Sequence, residues 1–124
     1  MNNNTCVRAN ADQQQITRCS SRLKELNHSF ERLSGMIELA GNQTRMKILF
    51  LLFEEDRLCV CDLSDALGIS VSAASQHLRK LKDRRLIFSR KEAQTIYYEL
   101  TPGFENLMKP FFNMLEFEET LEHI

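Results

Sequence analysis

At 124 residues, with 43% hydrophobic and 27% charged side chains, the chain has the size and composition of one soluble globular domain with a modest core, small for an independent enzyme. The formal net charge of −1 says nothing by itself for nucleic acid, but it hides an asymmetry: the middle is basic, and the tail after Pro110 carries Glu116, Glu118, Glu119 and Glu122. Such a separation turns a positive face toward a polyanion while total charge stays near zero. The apolar run Ile48 to Phe53 is only six residues, too short to cross a membrane, and no basic patch with a following apolar stretch opens the chain. A cytoplasmic location is therefore expected, with the four cysteines as thiols or metal ligands rather than disulfides.

Met1 to Gln15 is rich in Asn and Gln and has almost nothing to bury, which predicts a mobile arm over residues 1–16, carrying Cys6, ahead of a folded domain over 17–124. From about Thr17 to Ala40, Leu23, Leu26, Phe30, Leu33, Ile37 and Ala40 recur every three or four positions, which predicts one amphipathic helix. Gly41 and Asn42 end it and cap the next, about Gln43 to Glu54, whose Met46, Ile48, Leu49, Leu51, Leu52 and Phe53 make it apolar nearly all round and so the central core helix. Asp62 to Leu67 then predicts a short helix, with Leu63, Ala66 and Leu67 inward, stopped by Gly68.

The next helix is the stretch that touches another molecule. Ser70 and Ser72 suit its first turn as caps, and Leu78, Leu81 and Leu86 turn inward. Ser72, Ser75, Gln76, Arg79 and Lys80 are left outside or at the edges. Short polar side chains early in a helix reach base edges in a major groove, and the cations behind them grip phosphates. Seven basic residues and one acid, Asp83, lie between Arg79 and Lys91. A solvated charged face is the bland alternative, but a helix, a turn at a glycine and a second helix of this kind form a helix-turn-helix pattern.

Leu86 to Glu92 and Thr95 to Leu100 read as two short strands joined at Ala93-Gln94, a hairpin wing whose tip carries Arg90, Lys91 and Gln94. A hairpin that only completes the fold accounts for Tyr97 and Leu100 but not for these charges. Thr101 and Pro102 open a last helix, with Phe104, Leu107, Met108, Phe111, Phe112 and Leu115 on a wide apolar face and Pro110 placed to bend it near Asn106. The first and last helices carry more apolar stripe than this small core covers, which predicts a two-fold homodimer through them. The expected architecture is mainly α with a β-hairpin wing, a winged helix-turn-helix of about five helices.

From about Phe30 to Leu115, most of its length, the chain resembles the ArsR/SmtB family of bacterial winged-helix metal-sensing repressors, on the collinear segments GNQTRMKILFLL, LCVCDLSDALGIS, SAASQHLRKLKDRRLI and SRKEAQTIYYEL. The resemblance implies a homodimer that sits on operator DNA and leaves it when an inducer binds. It assigns Ser72, Ser75, Gln76 and His77 to the recognition helix and Arg90, Lys91 and Gln94 to the wing, although a histidine beside Leu78 also suits packing or capping.

The C-V-C-D-L element, Cys59 to Leu63, resembles the metal site of the cadmium-, lead- and arsenite-sensing branches. Within a continuous helix, thiols two residues apart point to nearly opposite sides; at an extended approach to a helix they point the same way, with Asp62 as that helix's cap. Two thiolates do not complete a soft-ion site, so Cys6, which matches an N-terminal ligand of the cadmium/lead branch, and Cys19, several residues later than that pattern expects, are the candidate further ligands. Ser64 stands where some arsenite sensors carry a third cysteine. At the final-helix positions of the zinc-sensing branch this chain has Pro102, Phe104 and Leu115, with Glu118 alone retained, so cadmium, lead or arsenite is expected ahead of zinc.

The RKEAQTIYY wing also resembles members that sense redox state or reactive sulfur through two cysteines, one on the final helix; no cysteine follows Cys61 here. A thiol oxidoreductase built on Cys59 and Cys61 would need a strand leading into the motif within a βαβ unit, and a structural zinc module would unfold on chelation. With no Ser-His-Asp set, no phosphate-cradling glycine loop and no paired carboxylates, a non-enzyme with no organic cofactor and no small-molecule substrate is expected.

Overall fold

The computed structural model describes residues 6–117 and 121–123; Glu118 and Glu119 of the acidic tail, and the first five residues of the expected arm, lie outside them. The described elements run α1 (Gln13–Glu25), α2 (Asn27–Ala40), α3 (Gln43–Glu55), β1 (Leu58–Cys59), α4 (Val60–Leu67), α5 (Val71–Asp83), β2 (Ile87–Glu92), β3 (Thr95–Leu100) and α6 (Pro102–Met114). This is a winged helix-turn-helix with six helices among the described residues rather than about five. Residues 1–35 and 36–124 form two units.

In the first unit, the helix expected from Thr17 begins earlier, at Gln13, because Asp12 caps it by accepting the Gln15 amide at 3.0 Å. The single long helix expected to Ala40 is interrupted: Leu26 leaves helical geometry at φ −98° and ψ 5°, and its amide reaches the carbonyls of both Arg22 and Lys24. Apolar spacing continues through the break, so periodicity alone does not reveal it. No residue of α1 is buried.

The second unit holds the core. Gly41 closes α2 by donating to the Ile37 carbonyl at 2.7 Å, and Asn42 caps α3 by accepting the Arg45 amide at 3.0 Å. Ile48, Leu49 and Leu52 of α3 meet Leu63 of α4, Leu78 and Leu81 of α5, Leu86, Ile87, Leu100, and Phe104, Met108 and Phe112 of α6. Phe112 packs tilted against Phe53 and edge-on to Phe50, with ring centroids 5.0 and 5.9 Å apart. Pro110 lies inside α6, which runs on to Met114; Pro110 has no amide to offer the Asn106 carbonyl, and both residues are exposed.

The α4–α5 turn is closed by Gly68, left-handed at φ 68°, whose amide donates to the Ser64 carbonyl at 2.9 Å. The Ser64 hydroxyl, buried, donates to the Ile69 carbonyl at 2.6 Å, so this side chain locks the turn. At the far end of α5, Arg85 sits at φ 60° and the Leu86 amide returns to the Leu81 carbonyl at 3.0 Å. Thr101 precedes α6 as expected, but its hydroxyl donates back to the carbonyls of Arg85 and Leu86, at 3.0 and 3.1 Å, rather than capping that helix.

β2 and β3 pair antiparallel from Ile87↔Leu100 to Glu92↔Thr95, with Ala93 and Gln94 as the turn and Ala93 at φ 54°. The hairpin is not alone. Leu58 and Cys59 add a third strand, and the order is β1-β3-β2. Two residues with no alternating pattern give sequence reading nothing to find.

Candidate nucleic-acid interface

α5 presents two faces. Ala74, Leu78 and Leu81 are buried, while Ser72, Ser75, Gln76, Arg79 and Lys80 are exposed. Ser72, Ser75, Gln76 and Arg79 line one shallow depression on that face. The N-cap is Ser70 alone, its hydroxyl accepting the Ala73 amide at 3.0 Å, which leaves Ser72 out of the cap that sequence reading shared between them. A helix whose first exposed turn is Ser, Ser and Gln, followed by Arg and Lys, offers hydrogen bonds to base edges and charge to phosphates.

His77 sits differently. It is half-buried, and Arg45 of α3 donates from Nη1 to its Nδ1 at 3.4 Å; a guanidinium has no acceptor, so Nδ1 is the acceptor. Arg45 is itself fixed by an Nε bond to the Leu39 carbonyl at 2.7 Å. Burial first, then the charges of Arg45 and Lys80, pull the imidazole below its ordinary range. In this geometry His77 ties α5 to α3.

The wing is held by its own charges. Arg90 lies 3.3 Å from Glu99 and over the Phe88 ring, while Lys91 and Gln94 are exposed at the tip. Lys82 of α5 donates to the Ser89 hydroxyl at 2.8 Å, linking α5 to the wing. A groove lined by Ser75, Arg79, Lys82, Asp83, Arg85 and Tyr98 runs between them.

The thiols of the C-V-C-D-L element straddle a junction. α4 begins at Val60, between the two cysteines, rather than at Asp62. Cys59, extended at φ −90° and ψ 170°, is the N-cap, and Cys61 lies in the first helical turn. Asp62 is three residues past the cap, and its carboxylate accepts the Cys59 amide at 3.1 Å. That bond first, and the Cys59 thiol second, hold the Asp62 carboxyl below its usual range. Cys59 is half-buried and Cys61 exposed; in the first unit Cys6 and Cys19 are exposed, and all four are free of disulfides. Among the described residues no three His, Cys, Asp or Glu side chains converge as a metal site. The second unit thus supplies two sulfur donors at one strand-to-helix junction, chemistry that suits a soft ion and leaves its coordination incomplete.

Sequence reading missed Arg57, Glu92 and Tyr97. Arg57 Nη1 lies 2.7 Å from Glu92 Oε1, and its guanidinium lies 4.2 Å from the centre of the Tyr97 ring. An isolated cation after Glu54, Glu55 and Asp56 is the only local signal, since its partners lie more than thirty residues on.

No described helix is long and apolar enough to cross a membrane. The family model for "bacterial regulatory protein, arsR family" matches residues 42–89. The cadmium resistance transcriptional regulatory protein CadC of Listeria innocua is 33% identical over 98 residues, 79% of this chain and 81% of that protein. The arsenical resistance operon repressor of Escherichia coli is 37% identical over 67 residues, 54% of this chain and 57% of that one. The structure of reduced HlyU from Vibrio cholerae superposes with a TM-score of 0.68 at 31% identity, covering 74% of this chain and 97% of that one. These relatives are transcriptional regulators, not enzymes, by name or family. With the winged helix-turn-helix above, they place the chain in the arsR family of bacterial regulatory proteins.

Proposed function

We propose that this regulator is a repressor that binds palindromic operator DNA as a homodimer and lets go when a soft thiophilic ion, cadmium, lead or arsenite, is held by its cysteine thiolates. The observation that carries the reading is the junction of Cys59 and Cys61: one thiol sits on the strand paired with the wing, the other on the helix that leads into α5. Cys6 and Cys19, from the same or a partner chain, are proposed as the further ligands on donor chemistry alone, because a soft ion takes three or four sulfurs. The named targets of the CadC and arsenical relatives, cadmium and arsenical resistance, support the ion class.

On the DNA side, Ser72, Ser75 and Gln76 are assigned to base edges, Arg79, Lys80 and Lys91 to phosphates, and Gln94 to the backbone at the wing tip. Arg90 and His77 act through Glu99 and Arg45, respectively, by shaping the wing and seating the helix. Exposed Phe30, Leu33 and Ile37 on α2, and Leu107, Phe111 and Leu115 on α6, support pairing of two copies, which would present two recognition helices to one operator. A bound ion supplies cross-linking through sulfur. The chain's own part is to convert a displacement of β1 and α4 into a changed separation of the two recognition helices.

A second reading is release on thiol oxidation. It is favoured by the exposure of Cys6, Cys19 and Cys61 and by the similarity to reduced HlyU. Titrating the reduced protein with cadmium, while following thiolate-to-metal absorption and release of a labelled operator duplex together, tests the first reading. Coincident curves support it; release by peroxide or persulfide with indifference to cadmium selects the second.

A further inference from the structure

Arg57 stands directly before β1, and its side chain crosses the whole sheet. The strand order is β1-β3-β2; the guanidinium lies on Tyr97 of the middle strand and ion-pairs with Glu92 of the far one. Tyr97 is also the ladder partner of Cys59, and Glu92 is the last residue before the wing turn at Ala93-Gln94. One cation therefore joins the backbone next to the first thiol to the base of the wing tip. The residue behind it, Asp56, is held at φ 69°, so the chain enters β1 through a conformation that side chains other than glycine seldom adopt.

β1 has only two ladder pairs, Leu58↔Tyr98 and Cys59↔Tyr97. Leu58 packs against the core and the Cys59 amide bonds the Asp62 carboxylate, but neither contact reaches the wing tip. The Arg57 contacts do, and because they are solvent-exposed they add little to global stability. They also neutralise the acid beside Lys91, keeping the wing tip positive toward DNA.

We propose that Arg57 is the positioning residue that couples the Cys59–Cys61 thiol pair to the wing, an inference that rests on the thiol-sensing reading above. When Cys59 is drawn toward a bound ion, β1 moves; with Arg57 in place, Tyr97 and Glu92 move with it and Lys91 and Gln94 leave their phosphates. Without Arg57, β1 moves and the wing stays.

The test uses the full-length reduced chain, cadmium and an operator duplex. Arg57→Ala is expected to fold, to bind operator within a few-fold of wild type and to give the wild-type thiolate-to-cadmium absorption. The cadmium-induced loss of operator affinity, about tenfold in wild type on a typical allosteric coupling, should shrink to about twofold. Glu92→Gln, which breaks the same pair from the other end, should behave alike, and Arg57→Lys, which keeps the charge, should recover most of the response. Full cadmium release by Arg57→Ala or Glu92→Gln overturns the inference alone, as does loss of the cadmium absorption in those variants. A wild-type chain that binds operator and ignores cadmium overturns the thiol-sensing reading and the inference with it.

Discussion

Cys59 and Tyr97 are antiparallel ladder partners, which makes the first thiol of the C-V-C-D-L element part of the wing sheet. The helix that follows, α4, packs on α5 and ends in the Gly68 turn. A single peptide junction, Cys59 to Val60, thus leads along one route to the wing through β3 and along another to the recognition helix through α4. Both elements assigned to DNA contact are within one element of the thiols.

The two faces of α5 should separate stability from DNA affinity. Leu78→Ala removes a side chain that is 1% exposed and should cost about 2–5 kcal/mol of folding stability. Gln76→Ala, on the exposed face, should change stability by about 0.5 kcal/mol or less. It should weaken operator binding by about 1–3 kcal/mol if the amide reads a base. Urea unfolding and anisotropy titration on both variants check the split. Equal operator binding by Gln76→Ala and wild type removes the residue from the interface.

The His77 imidazole titrates lower folded than unfolded, because burial and then the Arg45 and Lys80 charges disfavour its cation. Between these two values the unfolded chain holds more protons, so folding stability falls as pH drops below about 6.5, the ordinary histidine value, through the folded one. Protonation also deprives Arg45 of its acceptor. Thermal unfolding at pH 7.5 and 5.5 should show a larger acid loss for wild type than for His77→Gln, which stays neutral. An identical pH dependence for the two chains contradicts the assignment.

Two turn positions should respond with opposite signs. Gly68 is left-handed, and a β-carbon at that position would meet nothing within 4 Å, so Gly68→Ala costs only the backbone penalty, about 1–2 kcal/mol. Ala93 carries a side chain at φ 54°, and Ala93→Gly relieves that strain, for a gain of about 0.5–1 kcal/mol at the wing turn. Chemical denaturation of both variants measures the difference.

Much of the fold is legible in the sequence. The run Ile48 to Phe53 announces the core helix, Gly68 and Ser70 the helix-turn-helix, and Ala93-Gln94 the hairpin turn, because each is a local signal of period or cap. What stays hidden is set by contacts distant in sequence. β1 exists because Tyr97 and Tyr98 offer an edge to two residues that have no pattern of their own. Arg57 finds its partners in Glu92 and Tyr97, and His77 turns from the exposed polar face of α5 toward Arg45, thirty-two residues earlier in the chain. The start of α4 lies at Val60 rather than Asp62 because Asp62 serves the cap from inside the helix, through the Cys59 amide. The break at Leu26 leaves the apolar spacing intact and so leaves no trace in it.

The central claim, that sulfur at the β1–α4 junction governs the hold on DNA, is tested most directly by operator affinity of wild type and Cys59→Ser, each with and without cadmium, under reducing conditions. Serine keeps the size and the extended backbone, so both chains should bind the duplex equally without the ion. Cadmium should then release wild type and leave Cys59→Ser bound. A Cys59→Ser chain that lets go of the operator at the same cadmium concentration as wild type contradicts the account.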